Sequence, residues 1–422
     1  MTRPRIAVVG AGIIGTCVAY ELQRRGAEVT LIERDEPGRG ASYGNSGAIS
    51  EGSVMPLATP SVIAKAPAML LDPNSPLRVP LGYLFRALPW LARFAAAARP
   101  AEIERISRAL HALHRQAVEH HLALAADIGA AELVVQRGHL HLYPDAQALA
   151  GDQASWDLRR RFGIAFERLD RAGIEALEPA IAPRYRVGMF LPDHAMVVNP
   201  LRYVRKVAEA FESRGGRLVR DEVRALRPRP GGGWQIAAAA AQHDADHVVL
   251  AAGVWSATLL RPLGLSYALE SQRGYHTMFV GVPAPISRTI VLTDHKIFAT
   301  PMEEGLRAGG MVDIAGLRRP PDMQRAARIA SLARESVQGL DGALERVWMG
   351  HRPCFPDTLP RVGQAPGLPG LWLAFGHGHL GLTDSANTAR QIADELLAPA
   401  SASTPASAST PASASASASE RR

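Results

Sequence analysis

Residues 1–33 constrain the fold more than any other stretch. Arg5-Ile6-Ala7-Val8-Val9 is a short apolar run suited to a buried parallel strand. Gly10-Ala11-Gly12-Ile13-Ile14-Gly15 follows at once and opens a helix predicted through about Arg25, which Gly26 stops. Glu28 to Glu33 reads as a second strand ending in an acid. In this order Gly10 allows the tight turn, Gly12 lets backbone approach a pyrophosphate, and Gly15 lets the helix pack closely on the strand. The amino end of the helix offers N–H groups and a positive dipole to phosphates. Glu33 falls near the spacing expected of a carboxylate that grips ribose hydroxyls. A GxGxxG alone is weak evidence, but both strands, the helix and the acid accompany it here. The chain is therefore expected to hold an adenine dinucleotide.

The remaining bulk properties exclude more than they identify. A chain of 422 residues is long enough for two domains or one large interwoven fold, and 47% hydrophobic with 21% charged residues is ordinary for a globular protein. The formal charge is +7, carried by arginine, because Lys65, Lys206 and Lys296 are the only lysines. No compact basic run with interleaved aromatics argues for nucleic acid. Cys17 and Cys354 make no disulfide framework and no CxxC pair, which fits a reducing compartment. The first strand starts at Arg5, which leaves no room for a signal peptide, and no apolar run has the length of a spanning helix. A cytoplasmic location is expected. The Ser/Ala/Thr/Pro tail, 399–422, is expected to be disordered.

Between Met55 and Pro100 the chain is rich in proline and apolar residues. Leu81 to Ala98 carries Leu84, Phe85, Leu88, Trp90, Leu91 and Phe94 among Arg86, Arg93 and Arg99. Packing into a core is the favoured reading and contact with a membrane surface the other. Pro89 argues against one long helix there. Glu102 to Gly129 reads as a single helix, with His111, His114, His120 and His121 on a solvated face; no metal site is expected. Gln136 to Tyr143 alternates as a strand. Asn199-Pro200 opens a helix through Ser213, followed by a strand from Arg217 to Leu226 and another at Trp234 to Ala239. His247 to Ala252, Tyr275 to Val280, Lys296 to Thr300 and Leu371 to Phe375 also read as strands, and Met323 to Gln338 and about Asp384 to Leu397 as helices.

The loop Gly376-His377-Gly378-His379-Leu380-Gly381-Leu382-Thr383 sits between the last strand and the last helix. A glycine turn there lets backbone approach a flat ring, and the following helix turns its positive end toward it. Reduced flavin carries negative charge at its N1/C2-carbonyl edge, which this placement would stabilise.

These segments together resemble the FAD-dependent D-amino acid oxidase-like family, including the glycine and sarcosine oxidases. The resemblance rests on Gly10 to Gly15 with Glu33, Ala41-Ser42-Tyr43-Gly44-Asn45-Ser46-Gly47, and Val248-Val249-Leu250-Ala251-Ala252-Gly253-Val254-Trp255-Ser256. It continues with His351-Arg352-Pro353, Pro356-Asp357 and Pro360-Arg361-Val362-Gly363, and closes on the glycine/histidine loop. Within that family the pattern is most similar to bacterial D-amino acid dehydrogenases.

The resemblance implies an α/β fold. It has a discontinuous Rossmann-like FAD-binding domain (1–55, 190–262 and 350–398) and a second α+β substrate domain on a mixed or antiparallel sheet (56–189 and 263–349). It implies FAD contacts from Gly10, Gly12, Ile13, Ile14, Gly15, Glu33 and Arg34, and from Ser42, Asn45, Ser46 and Gly47. Further contacts are implied from Val223, Ala251, Ala252, Gly253 and Trp255, and from Gly376, His377, Gly378, His379, Leu380, Gly381 and Thr383.

Arg352 is the expected carboxylate anchor, by two parallel charge-assisted hydrogen bonds. Tyr275 and His276 are candidates to touch carboxylate or amine, with a tyrosine satisfied elsewhere as the alternative. Cys354 is expected to be a small packing residue, with covalent flavin attachment the lesser option. The expected reaction is oxidative deamination of a D-amino acid, D-proline or a hydroxy-D-proline among the candidates. Hydride passes to flavin N5 and the electrons go on to a quinone or other respiratory acceptor, with peripheral contact at the inner membrane and partner subunits. Two alternatives stay open: an amine oxidase that uses dioxygen on glycine or sarcosine, and a flavin-bearing electron-transfer subunit.

Overall fold

A computed structural model describes residues 3–72 and 75–398; the tail lies outside the described residues. The opening unit forms as its sequence predicts: strand β1 (Arg5–Val9), helix α1 (Ile13–Arg24) and strand β2 (Glu28–Glu33). β1 is central in a six-stranded sheet, ordered Arg217–Arg220, β2, β1, His247–Leu250, Leu371–Phe375, Arg361–Gln364. The first five strands run parallel and the last antiparallel. Such a sheet is covered on both faces, which is why its central strands, β1, His247–Leu250 and Leu371–Phe375, are largely continuous apolar runs rather than alternating ones. α1 lies on one face with the helices Pro200–Ser213 and Gly381–Leu396.

A second, mixed sheet is built on three long strands, Glu270–Val280, Leu344–Cys354 and Gly305–Ile314. It continues through Ile297–Met302, Thr289–Leu292, His139–Tyr143, Val187–Leu191 and Glu167–Leu169. Its far face packs on the helix Gln324–Ser336 to make a second core. One distortion matters for function. Arg273 pairs with Asp313 but Tyr275 pairs with Gly310, so two residues, Met311 and Val312, oppose Gly274. This is a β-bulge, and Met311 takes a positive φ of 53° within it.

Several local expectations are corrected. Leu81 to Ala97 is one helix despite Pro89; we number it α3, after α2 (Pro60–Leu71). Pro89 and Phe85, whose carbonyl loses its partner, are both exposed. Water can take the place of the missing bond. The single helix expected from Glu102 is two, α4 (Pro100–His114) and α5 (Ala117–Asp127), broken at Gln116 with φ 61°. The break is held from outside: Asn387 donates to the carbonyls of Leu113 and Arg115, and Glu51 accepts the Val118 amide. Nor is its histidine face solvated, since His114 and His121 are fully buried.

α5 and the strand Val134–Gln136 fall in the segment expected to belong to the second domain. α5 packs instead in the core that includes β1 and α1, and Val134–Gln136 pairs with Ala195–Val197. The strand expected from Arg217 to Leu226 is also two, because Asp221 turns the chain. Arg217–Arg220 joins the parallel sheet, and Val223–Pro228 joins a separate antiparallel one with Trp234–Ala238. The last helix starts at Gly381, three residues before the expected Asp384.

Candidate active site

Parallel strands deliver their carboxyl ends to one edge, and here three strands do so at the same place. β1 runs into Gly10, His247–Leu250 into Ala251 to Gly253, and Leu371–Phe375 into Gly376. Gly10 has φ 103°, and a Cβ there would stand 2.6 Å from the Ala251 carbonyl oxygen. A Cβ on Gly15 would stand 1.8 Å from the Gly10 oxygen, so the helix can approach the turn only as glycine. Ser42 accepts the Ile13 amide at 2.9 Å and Glu33 accepts the Ala11 amide at 2.7 Å. The turn, the 41–47 segment and the acid are thus one connected unit.

These corners open on a cavity of about 1520 Å³ that runs from Glu33 and Arg34 to the mixed sheet. Small-ligand pockets are usually roughly 300–1,000 Å³, so this space is scaled for a larger occupant or for two. Of the expected cofactor contacts, all but Gly15 and Gly47 line it. Gly15 packs behind the turn. Gly47 (φ 79°) sits against the Val197 carbonyl, and its amide is held by Asn45 Oδ1 at 2.8 Å. Arg34 lies 4.0 Å over the Trp255 ring at the same end. At the opposite end the loop Gly376–Thr383 forms the wall. Gly378 donates to the Pro353 carbonyl at 2.9 Å, which fastens that loop to the strand bearing Arg352.

Arg352 lines the cavity from the mixed sheet. Its guanidinium lies over Gly274, where a Cβ would meet it at 2.2 Å. One nitrogen donates to the Met311 carbonyl at 3.1 Å, an acceptor that the bulge turns toward it. No carboxylate pairs with Arg352 among the described residues. Burial pushes its pKa below the usual arginine value, so the group is costly to keep in place without an anion. Two residues away on the same strand face, Gly350 makes room for Trp348, whose ring would collide with a Cβ at Gly350 or at Gly44. Trp348 stacks on His276 with centroids 5.2 Å apart.

The three expected substrate residues are therefore placed differently. Arg352 reaches the cavity. His276 is buried behind Trp348, its Nδ1 3.3 Å from the Gly44 carbonyl, and burial with nearby Arg307 pulls its pKa to about 3. Tyr275 borders the cavity, but its hydroxyl is turned to the other face of its strand, as period-two alternation requires. Its hydroxyl donates to Asp313 at 2.8 Å inside the second core, so the alternative of a tyrosine satisfied elsewhere is the one that fits. Arg307 is buried and donates to the carbonyls of Tyr43 and Asn45, fixing the 43–45 loop; burial brings its pKa down to about 10. His379 lines the cavity with its side chain open to that space, and partial desolvation there, with Arg352 nearby, lowers its pKa. Cys354 packs behind Gly378, and burial raises its thiol to about 12, which leaves it unreactive.

Sequence reasoning missed Trp348, Gly274 and the Met311 carbonyl. Alternation along 348–352 was a usable signal for Trp348; the bulge had none. Among the described residues no group of three or more His, Cys, Asp or Glu is placed to hold a metal.

A parallel sheet with glycine corners at its carboxyl edge, facing a guanidinium with no carboxylate partner among the described residues, is the arrangement of a dinucleotide-dependent oxidoreductase. The FAD dependent oxidoreductase family matches residues 5–395, and the chain belongs to it. It is 34% identical over 398 residues to a D-amino-acid oxidase of Bradyrhizobium diazoefficiens, covering 93% of this chain and 94% of that one. It is also 34% identical over 431 residues to D-amino acid dehydrogenase 2 of Ralstonia nicotianae, covering 94% and 98%. Glycine oxidase from Geobacillus kaustophilus has the same fold, with a TM-score of 0.74, 22% identity, and coverage of 93% of this chain and 95% of that one. The cofactor is FAD. The residues present suit it: a glycine turn with the Glu33 carboxylate beside it at one end, a glycine loop before a helix amino end at the other, and one continuous space between.

Proposed function

We propose that this flavoenzyme oxidises D-amino acids to imines, which water converts to 2-oxo acids and ammonium, and passes the electrons to a quinone or other respiratory acceptor at the cytoplasmic face of a membrane. The observation that carries the reading is Arg352, a desolvated cation on the cavity wall with one backbone acceptor and no carboxylate among the described residues. A substrate carboxylate completes it through charge-assisted hydrogen bonds. The relatives named for D-amino acids support the substrate class.

In this reading the Gly10–Gly15 turn and Glu33 hold the adenosine diphosphate half of FAD. Ser42 to Ser46, Gly253 and Gly376 to Thr383 hold the ring end. FAD, when bound, supplies the acceptor for two electrons and the substrate Cα hydrogen. The chain does the rest by placement. Arg352 fixes the carboxylate, the face of Trp348 supports the adjoining part of the substrate, and Gly378 locks the ring loop to the Arg352 strand. The Arg352 charge also favours loss of the substrate ammonium proton, which frees the amine lone pair to drive oxidation. Positioning of this kind contributes the larger part of the rate. The two sheets correspond to cofactor-binding and substrate-binding parts.

Anaerobic titration with a panel of D- and L-amino acids tests this: D-substrates should bleach the flavin absorbance. A flavin that no D-amino acid reduces would refute it. A second reading, with dioxygen as acceptor, is favoured by the relative named as an oxidase. Peroxide formed stoichiometrically under air identifies that one, and turnover only with an added quinone or dye identifies the first.

A further inference from the structure

The two most exposed large apolar side chains among the described residues lie on one helix, while Leu344 and Val347 are exposed elsewhere, on the strand Leu344–Cys354. Leu81 and Phe85 are 84% and 83% exposed and Leu88 is 47% exposed. With Ala92 they sit at i, i+4, i+7 and i+11 on α3, a single stripe along the helix. The opposite face of α3 is already engaged: Ala87 and Trp90 are buried, Trp90 donates to the Cys354 carbonyl, and its ring stacks on Phe94 at 5.2 Å. The stripe is therefore not a core face awaiting closure, and the helix is held rigidly with it outward.

Along the sequence the segment that carries the stripe is one-sided in charge, although Arg78 pairs with Asp322 and Tyr83 donates to Glu270. From residue 52 to residue 101 Asp72 is the only acid, while Lys65, Arg78, Arg86, Arg93 and Arg99 are bases. Arg86 and Arg93 are exposed one heptad apart beside the stripe. A distant part of the chain extends the same surface. Gly316 approaches the Tyr83 ring so closely that a Cβ would stand 2.9 Å from it, which seats the 316–319 loop on the first turn of α3. That loop presents exposed Leu317, Arg318 and Arg319.

We propose that α3 and the 316–319 loop form a docking surface for an anionic lipid bilayer, with α3 lying in the interface plane. An apolar stripe flanked by arginines, on a helix too short and too charged to span, is the pattern of interfacial helices. The basic rim supplies attraction to anionic headgroups, and Leu81, Phe85, Leu88 and Leu317 enter the acyl boundary. α2 and α3 also wall one end of the cavity, through Val62, Lys65, Met69 and Phe94, so docking sets that opening at the membrane surface. The surface stands on its own observations and does not depend on the substrate or acceptor proposed above.

The test is co-sedimentation of the full-length FAD-loaded protein with phosphatidylcholine vesicles, with and without phosphatidylglycerol. Wild type should partition onto the phosphatidylglycerol vesicles and dissociate as salt rises. The double variant Leu81→Ser/Phe85→Ser should lose at least about tenfold in partitioning, at unchanged flavin absorbance and melting temperature. Arg318→Gln/Arg319→Gln should bind more weakly and with a shallower salt dependence. Failure of wild type to bind at low salt overturns the proposal, as does retention of binding by the Leu81/Phe85 variant. Conversion of a wild-type dimer to a monomer by that variant, with no vesicle binding by either, would assign the stripe to a second copy instead.

Discussion

Arg352 depends on two neighbours that are neither charged nor reactive. Gly274 leaves the space its guanidinium occupies, and the Met311 carbonyl orients it. Arg352→Ala should lower kcat/KM for amino acids by about 100-fold or more, the loss of a charge-assisted pair, while FAD stays bound with an unchanged spectrum. Gly274→Ala should do nearly the same through displacement of the arginine, with KM rising at equal flavin content. Normal kinetics in either variant would remove that residue from the site. Trp348 belongs to the same account: its ring needs glycine at 44 and 350, so a side chain at either position would push it into the cavity.

Two elements show where local signals end. α1 could be read residue by residue because its determinants are its own: a positive φ at Gly10 and a clash-free Gly15. Gly15→Ala should force the helix off the turn, lowering stability by about 2 kcal/mol or more and releasing FAD, measured by thermal melting and by retained absorbance. The α4–α5 break has no such signature. It exists because Asn387, more than 270 residues away in sequence, accepts the role of cap for Leu113 and Arg115 while its Oδ1 meets His120 Nδ1 at 2.6 Å. Asn387→Leu should cost about 1–3 kcal/mol in chemical denaturation, with little change in kinetics if the site is intact.

Across the whole molecule, buried neutral histidines set the response to acid. Burial holds His121 and His139 down to about 4, and His114 and His377 to about 3. Each binds its proton more weakly folded than unfolded. Its contribution is therefore complete above pH ~6.5 and is lost as pH falls toward the folded value. At pH 5, a shift from 6.5 to about 4 is worth about 2 kcal/mol per histidine. Asp384, raised by burial beside His114, acts in the opposite sense and loses its contribution as pH rises. The histidines outnumber it, so the melting temperature should drop by several degrees from pH 7 to pH 5. A flat profile would mean these side chains are hydrated in solution.

By itself the sequence determined the glycine turn after β1, the glycine turn before the last helix and the FAD family, because each is written in contiguous residues whose backbone demands are local. The tertiary structure alone decided that Tyr275 turns inward to Asp313 while Arg352 faces the cavity. It also decided which stripe of α3 is left in water. Those outcomes follow from strand register, a bulge and packing partners brought from far along the chain, and no window of sequence contains both halves of such a contact.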